Sequence, residues 1–299
     1  MKTLPIADRQ KPPDEPPLFP RIGIVGCGLI GGSLAMAARQ RWPGSLVIAV
    51  DRKDVLETAM RLHAVDVGGD DLVMVADADL IVLAAPVRQN IRILERLADY
   101  VAGPALVTDV GSTKVTIAEA ARALPARLHF IGGHPLAGAA TGGISEARGD
   151  LFADRPWFLA AEASRTDDDI QRLEAFVAGI GAIPRRASPD THDLLLAYLS
   201  HLPQLTASAL MHVVGEHAGA DGLALSGRGL RDTTRLAASP SDIWRDVAAT
   251  NREHVGAALD DLIAVLQAIR QDLEEGATID TVFESAAGWK RALEADRQD

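Results

Sequence analysis

Residues 21–35 constrain what this chain can fold into more than any other stretch. The apolar run 22–25 reads as a buried strand, Gly26, Gly28 and Gly31 follow at the spacing G-x-G-x-x-G, and an alanine-rich helical segment begins behind them. Each glycine has a mechanical reason: the first for a tight turn, the second for backbone approach to a pyrophosphate, the third for close packing of helix on strand. The helix that starts here points free N–H groups at the phosphates, and Leu29 and Ile30, between the second and third glycines, are expected to contact the cofactor. A second strand, 46–50, ends at Asp51. A carboxylate there accepts the hydroxyls of an adenosine ribose and repels a 2′-phosphate. NAD is therefore expected over NADP, with Arg52 next door keeping NADP as the alternative.

Strand and helix keep alternating. Residues 79–86 form a continuous apolar run stopped by Pro86, at the strand end that should face the cofactor, and 105–109 is another strand. Runs of this kind are buried on both faces and imply a parallel sheet with helices on each side. The expected class is α/β: an N-terminal Rossmann-type doubly wound sheet over residues 21–186, followed by an all-helical domain over 187–299. The proline-rich residues 1–20 read as a mobile leader, and the polar link 184–189 as the domain boundary.

Composition narrows the partners. A formal charge of −11 with no basic block argues against nucleic acid, and no apolar run reads as a membrane span. The single cysteine, Cys27, excludes an internal disulfide, fits the cytoplasm and reads as a small residue beside the cofactor. No histidine and carboxylate spacing suggests a metal site.

Three further stretches carry candidate chemistry. Ser112, at the end of the strand 105–109, is placed for chemistry; Ser112 or Thr113 serves equally well as a helix cap. His134, between Gly132-Gly133 and Pro135, reads as a rigid turn on the cofactor side, the glycines leaving room for a substrate. Residues 191–217 read as one helix, apolar almost all round, whose burial needs other helices or a second subunit. Pro203 interrupts it and frees the carbonyl of Leu199, with His201 and Gln204 on one face at the break. Arg235, followed by Leu236 and Ala237, is expected to turn its guanidinium inward toward an anionic partner, while Trp244 reads as core or dimer contact.

Five ordered motifs now stand together: residues 26–35, 109–114, 132–138, 200–203 and 231–237. Over roughly 21–280 the chain resembles the prephenate/arogenate (cyclohexadienyl) dehydrogenase family of tyrosine biosynthesis. The resemblance implies an NAD-dependent oxidoreductase with a nucleotide-binding domain and a helical domain that builds a homodimer. Its reaction is oxidative decarboxylation of prephenate to 4-hydroxyphenylpyruvate, with arogenate as the alternative substrate. It also implies roles: His134 takes the proton of the ring hydroxyl, Ser112 hydrogen-bonds that hydroxyl, Arg235 binds a substrate carboxylate, and His201 lines the site. Two departures stand near the substrate side chain: Gln204 replaces a second histidine, and Ala139-Ala140 replaces Thr or Ser followed by Glu. Both point toward arogenate or dual use. The length of the chain leaves no further regulatory domain expected. Against this reading stand a dehydrogenase of small hydroxy acids or imines, and a non-catalytic NAD-binding dimer.

Overall fold

The computed structural model describes residues 16–138, 141–161 and 167–295. Ala139 and Ala140, and residues 1–15 of the expected leader, lie outside the described residues. The end of that leader is anchored, against expectation. Phe19 is buried edge-on to Phe176, its carbonyl accepts from the Ser45 hydroxyl, and the Leu18 carbonyl accepts from Arg172.

Eight strands form one sheet: β1 (Arg21–Val25), β2 (Leu46–Val50), β3 (Val67–Gly69), β4 (Leu80–Leu83), β5 (Ala105–Asp109), β6 (Leu128–Pro135), β7 (Pro156–Ala160) and β8 (Ile183–Ala187). Their order is β3-β2-β1-β4-β5-β6-β7-β8. All neighbours are parallel except β6 and β7, which run antiparallel. The helices α1 (Leu29–Arg41), α2 (Lys53–Arg61), α3 (Val87–Tyr100), α4 (Val115–Ala121) and α5 (Asp167–Gly179) accompany the sheet. Two apolar clusters result, one built around Ile24, Leu34 and Phe176, the other around Ile81, Leu97 and Phe130. Burial on both faces explains why β4 and β5 read as unbroken apolar runs. The residues 184–187 read as a link are the edge strand β8, paired in register with β7.

The second half is helical: α6 (Pro189–Leu196), α7 (Leu202–Ala224), α8 (Arg228–Thr233), α9 (Ser241–Thr250), α10 (Arg252–Gln271) and α11 (Ala277–Ala295). Between α6 and α7 the backbone makes a π-helical turn, Ala197–His201, in which the Leu202 N–H reaches back to the Ala197 carbonyl. The break expected from Pro203 thus takes the form of a widened turn, which accommodates a residue that has no N–H to donate. α9 and α10 are separated at Asn251, whose backbone (φ −130°, ψ 39°) leaves the helical region.

Within α7 only Gln204 and Ala207 are buried, and α11 buries no residue at all. By length and composition the helical stretch Pro189–Ala224, kinked at Gly219, is apolar enough to cross a membrane, contrary to the expectation that no such run exists. Its first half, however, is tied to the sheet by buried polar side chains, His192 and Asp193, which suits burial against protein.

Candidate active site

The carboxyl ends of the parallel strands place the site. Gly26 follows β1, Asp51 follows β2, residues 84–86 follow β4, Asp109 closes β5 and His134 sits near the end of β6. The connections diverge between β1 and β4, the position where sheets of this kind open a crevice for ligands.

A cleft of about 710 Å³ lies there, lined among others by Gly26, Gly28, Asp51, Arg52, Ala85 and Pro86. The glycines fit a dinucleotide. Gly26 has φ +98°, and a Cβ on it would stand 2.6 Å from the Ala84 carbonyl carbon; a Cβ on Gly31 would stand 1.9 Å from the Gly26 oxygen. Gly28 faces open space, so backbone can approach a pyrophosphate, and α1 begins directly after it with no side-chain cap on its N-terminus. Leu29 and Ile30 form the first turn of that helix, half-buried against the core. Asp51 accepts from the N–H groups of Cys27 (2.6 Å) and Arg52 (2.7 Å), which fixes its carboxylate at the mouth of the glycine turn. Burial, with Asp51 alongside, pushes the Cys27 thiol up to about 12, so it remains a protonated small residue. One contributor was not legible in sequence: buried Asn90 bonds the Leu83 and Ala85 carbonyls and the Ala85 N–H, which fixes the loop that ends at Pro86.

His134 departs from expectation in an instructive way. It stands in a strand, β6, opposite Phe158 of β7, and not on a turn. Gly132 and Gly133 leave room for neighbouring protein, not for a substrate. A Cβ on Gly133 would meet the Asp109 carbonyl oxygen at 2.4 Å, and one on Gly132 would meet the Lys114 side chain at 3.0 Å. Those neighbours form a fully buried ion pair: the Lys114 ammonium donates to Asp109 and to the Gly133 carbonyl (2.8 Å), and Asp109 accepts from the N–H of Gly111 (2.8 Å) and of Gly133 (3.0 Å). The strand end that carries His134 is thereby bonded to the loop that carries Ser112.

Ser112 is half-buried in that loop. It is not the cap of α4, and neither is Thr113, whose hydroxyl bonds Thr250 (2.7 Å). The cap comes from α6: Asp193 accepts from the N–H groups of Lys114 (2.7 Å) and Val115 (2.9 Å). Beside it, His192 Nδ1 lies 2.7 Å from Asp193 Oδ1, and His192 Nε2 lies 2.8 Å from His134 Nδ1. Asn251 closes the group, donating to the Asp193 carbonyl (2.8 Å) with His201 Nδ1 at 3.3 Å.

Three imidazoles therefore share one buried region. Burial, reinforced by His192, Lys114 and His201, holds His134 well below the usual histidine value; burial likewise lowers His192, and it takes His201 to about 4. At neutral pH all three are uncharged, the state that a proton acceptor needs.

The remaining candidates fall at the rim. Gln204 is buried, with its amide engaged by the Leu236 carbonyl (2.8 Å), Ser208 (3.2 Å) and the Ser239 hydroxyl (3.1 Å). Its place is to clamp the short turn Arg235–Ala238 onto α7, which the sequence did not reveal. Arg235 itself is exposed, a correction to the inward guanidinium: Leu236 and Ala237 take the inward side of the turn. Trp244, read as core or dimer contact, packs edge-on to His201 with ring centres 6.2 Å apart. The structure thus joins His134, His201 and the Ser112 loop through His192, Asp193 and Asn251, and it leaves Arg235 outside that network.

Two family models match the chain, one after the other. Residues 34–184 match the family model for the prephenate dehydrogenase nucleotide-binding domain, and residues 188–284 match that for the prephenate dehydrogenase dimerization domain. The prephenate dehydrogenase of Bacillus subtilis is 32% identical over 259 residues, which is 84% of this chain and 70% of the relative. The crystal structure of Synechocystis arogenate dehydrogenase superposes with a TM-score of 0.76 at 30% identity, covering 93% of this chain and 99% of that one. The A. aeolicus prephenate dehydrogenase, solved with hydroxyphenyl propionate and NAD+, gives a TM-score of 0.81 at 25% identity, covering 93% and 97%. With a glycine-rich nucleotide cleft, a buried histidine at the same sheet edge and both family domains matched in order, the chain belongs to the prephenate dehydrogenase family.

Proposed function

We propose that this protein is an NAD-dependent dehydrogenase that converts prephenate to 4-hydroxyphenylpyruvate by oxidative decarboxylation, with arogenate, giving tyrosine, as the alternative or additional substrate. The observation that carries the reading is the uncharged His134 imidazole, buried at the carboxyl edge that also forms the glycine cleft. Bound NAD supplies the hydride acceptor. His134 takes the proton of the ring hydroxyl, and Ser112, on the loop bonded to the same strand end, orients that hydroxyl. The carbon–carboxylate bond breaks, carbon dioxide leaves, the ring becomes aromatic, and the proton returns to the phenolic oxygen. Arg235, exposed and with no ion-pair partner among the described residues, supplies a cation for a substrate carboxylate. Gln204, whose amide is engaged within the protein, adds no charge near the substrate side chain. That neutrality supports acceptance of arogenate beside prephenate.

The nucleotide preference follows from Asp51 at the cleft mouth, which favours NAD over NADP. We infer a cytoplasmic homodimer formed through the helical half, because α7 and α11 carry apolar side chains such as Val213, Phe283 and Trp289 that one chain leaves uncovered. Purified protein assayed with prephenate and with arogenate, each with NAD and with NADP, tests the function directly. Reduced NAD is expected with prephenate, arogenate or both. No reduction in any combination overturns the reading, and reduction with NADP alone overturns the role given to Asp51.

A further inference from the structure

The polar chain behind His134 has a direction, and the donors and acceptors fix it. Asp193 is fully buried, accepts from two backbone N–H groups at the start of α4, and lies 2.7 Å from His192 Nδ1. A carboxylate in that position only accepts, so His192 Nδ1 carries a proton. Burial keeps His192 neutral, so this is its single ring proton and its Nε2 is bare. A bare nitrogen 2.8 Å from His134 Nδ1 is an acceptor, which places the His134 proton on Nδ1. His134 is itself neutral, which leaves its Nε2 lone pair unprotonated. Two aromatic contacts hold the ring of His192 in place: Phe158 packs edge-on at 5.2 Å, and His134 itself at 5.1 Å.

We propose that His192 and Asp193 are positioning residues that fix the tautomer of His134, so that its Nε2 is the nitrogen offered to the substrate hydroxyl. The Nε2–H form prevails for free neutral imidazole, and a base in that form would present Nδ1 instead. Holding the tautomer through a second group is the part a buried carboxylate plays behind the histidine of hydrolase triads, where its loss costs about 10⁴ in turnover. Here the carboxylate acts one residue further back, through an intervening imidazole. The charged and titratable groups that face this chain are Asp109 at the end of β5, Lys114 from the loop after it and His201 from the π-helical turn. The inference rests on His134 as the proton acceptor.

The test is ¹⁵N NMR of the full-length protein labelled at histidine, with the His134 signals assigned by their loss in His134→Asn. The expected spectrum at neutral pH shows a protonated Nδ1 and a bare Nε2 for His134. In His192→Leu the preference is lost, kcat falls by roughly 10²–10³ and KM for the substrate stays within about 3-fold. His192→Gln, whose amide oxygen accepts from Nδ1–H, recovers about 10-fold of that loss. A wild-type spectrum with Nδ1 bare overturns the inference, and so does a folded His192→Leu with unchanged kcat. Should His192→Leu fail to fold, the wild-type spectrum decides alone. Full turnover in His134→Asn defeats the reading of the base itself; the wrong tautomer beside an inactive His134→Asn defeats only the positioning role.

Discussion

Lys114 and Asp109 bond each other beneath His134 with no solvent exposure on either side chain. Burial opposes both charges, pushing Asp109 up and Lys114 down, and their mutual attraction with the N–H groups of Gly111 and Gly133 counters it. Such a pair adds little net stability over an apolar substitute, yet it penalises the loss of one partner heavily. Its consequence here is geometric: it bonds the end of β6 to the loop of Ser112, so that two candidate catalytic groups stand on directly bonded segments.

Lys114→Met therefore leaves Asp109 buried without a counter-charge and costs roughly 3–5 kcal/mol of stability. Urea denaturation measures it. A loss below about 1 kcal/mol would mean that the aspartate is solvated or protonated at little cost, against the packing seen here.

Stability depends on pH through the same region. The folded state holds His134, His192 and His201 below the ordinary value of 6.5, so it binds fewer protons than the unfolded chain. Their contribution is complete above about 6.5 and is lost as pH falls, for His201 over the interval down to about 4. Melting temperatures from pH 8 to pH 4 are expected to fall across that window. In His201→Asn the fall is shallower; an identical slope would place His201 in solvent.

Asp51→Ser removes the carboxylate at the mouth of the glycine turn. Loss of a charged hydrogen bond to ribose is worth about 1.5–3 kcal/mol, so KM for NAD rises roughly 10–100-fold while that for NADP falls. An unchanged ratio of the two would assign cofactor choice elsewhere, with Arg52 and Arg96 of the same cleft next in line.

The uncovered helices make the quaternary state testable. Val213→Glu combined with Phe283→Glu puts charges on exposed apolar positions of α7 and α11 and is expected to halve the mass seen by sedimentation velocity. A wild-type monomer, or a double variant that remains dimeric, would contradict an interface on this face.

The parts of the fold legible in sequence are those whose physics is local. Gly26 and Gly31 are demanded by a left-handed backbone and by an approach that a Cβ would block, and both follow from spacing alone. The apolar runs of β4 and β5 report burial on both faces. α5 buries Ile170, Leu173, Phe176 and Val177, the four positions its periodicity selects. His192, Asp193 and Asn251 escaped because nothing local marks them. His192 and Asp193 resemble the polar first turn of any helix, and only tertiary packing brings them to α4 and His134. β8 was missed for a related reason: an edge strand rich in proline and arginine reads as a link until its partner is known. Arg235 shows the opposite error. Apolar neighbours suggested an inward side chain, but on a tight turn consecutive residues face different ways.

Everything functional converges on the His134 imidazole, and steady-state kinetics of His134→Asn with prephenate and arogenate probe it most directly. Turnover is expected to drop by roughly 10²–10⁴ while NAD binding, followed by calorimetry, stays unchanged because the glycine cleft is untouched. Wild-type turnover in that variant would contradict the assignment of His134 as the group that takes the proton.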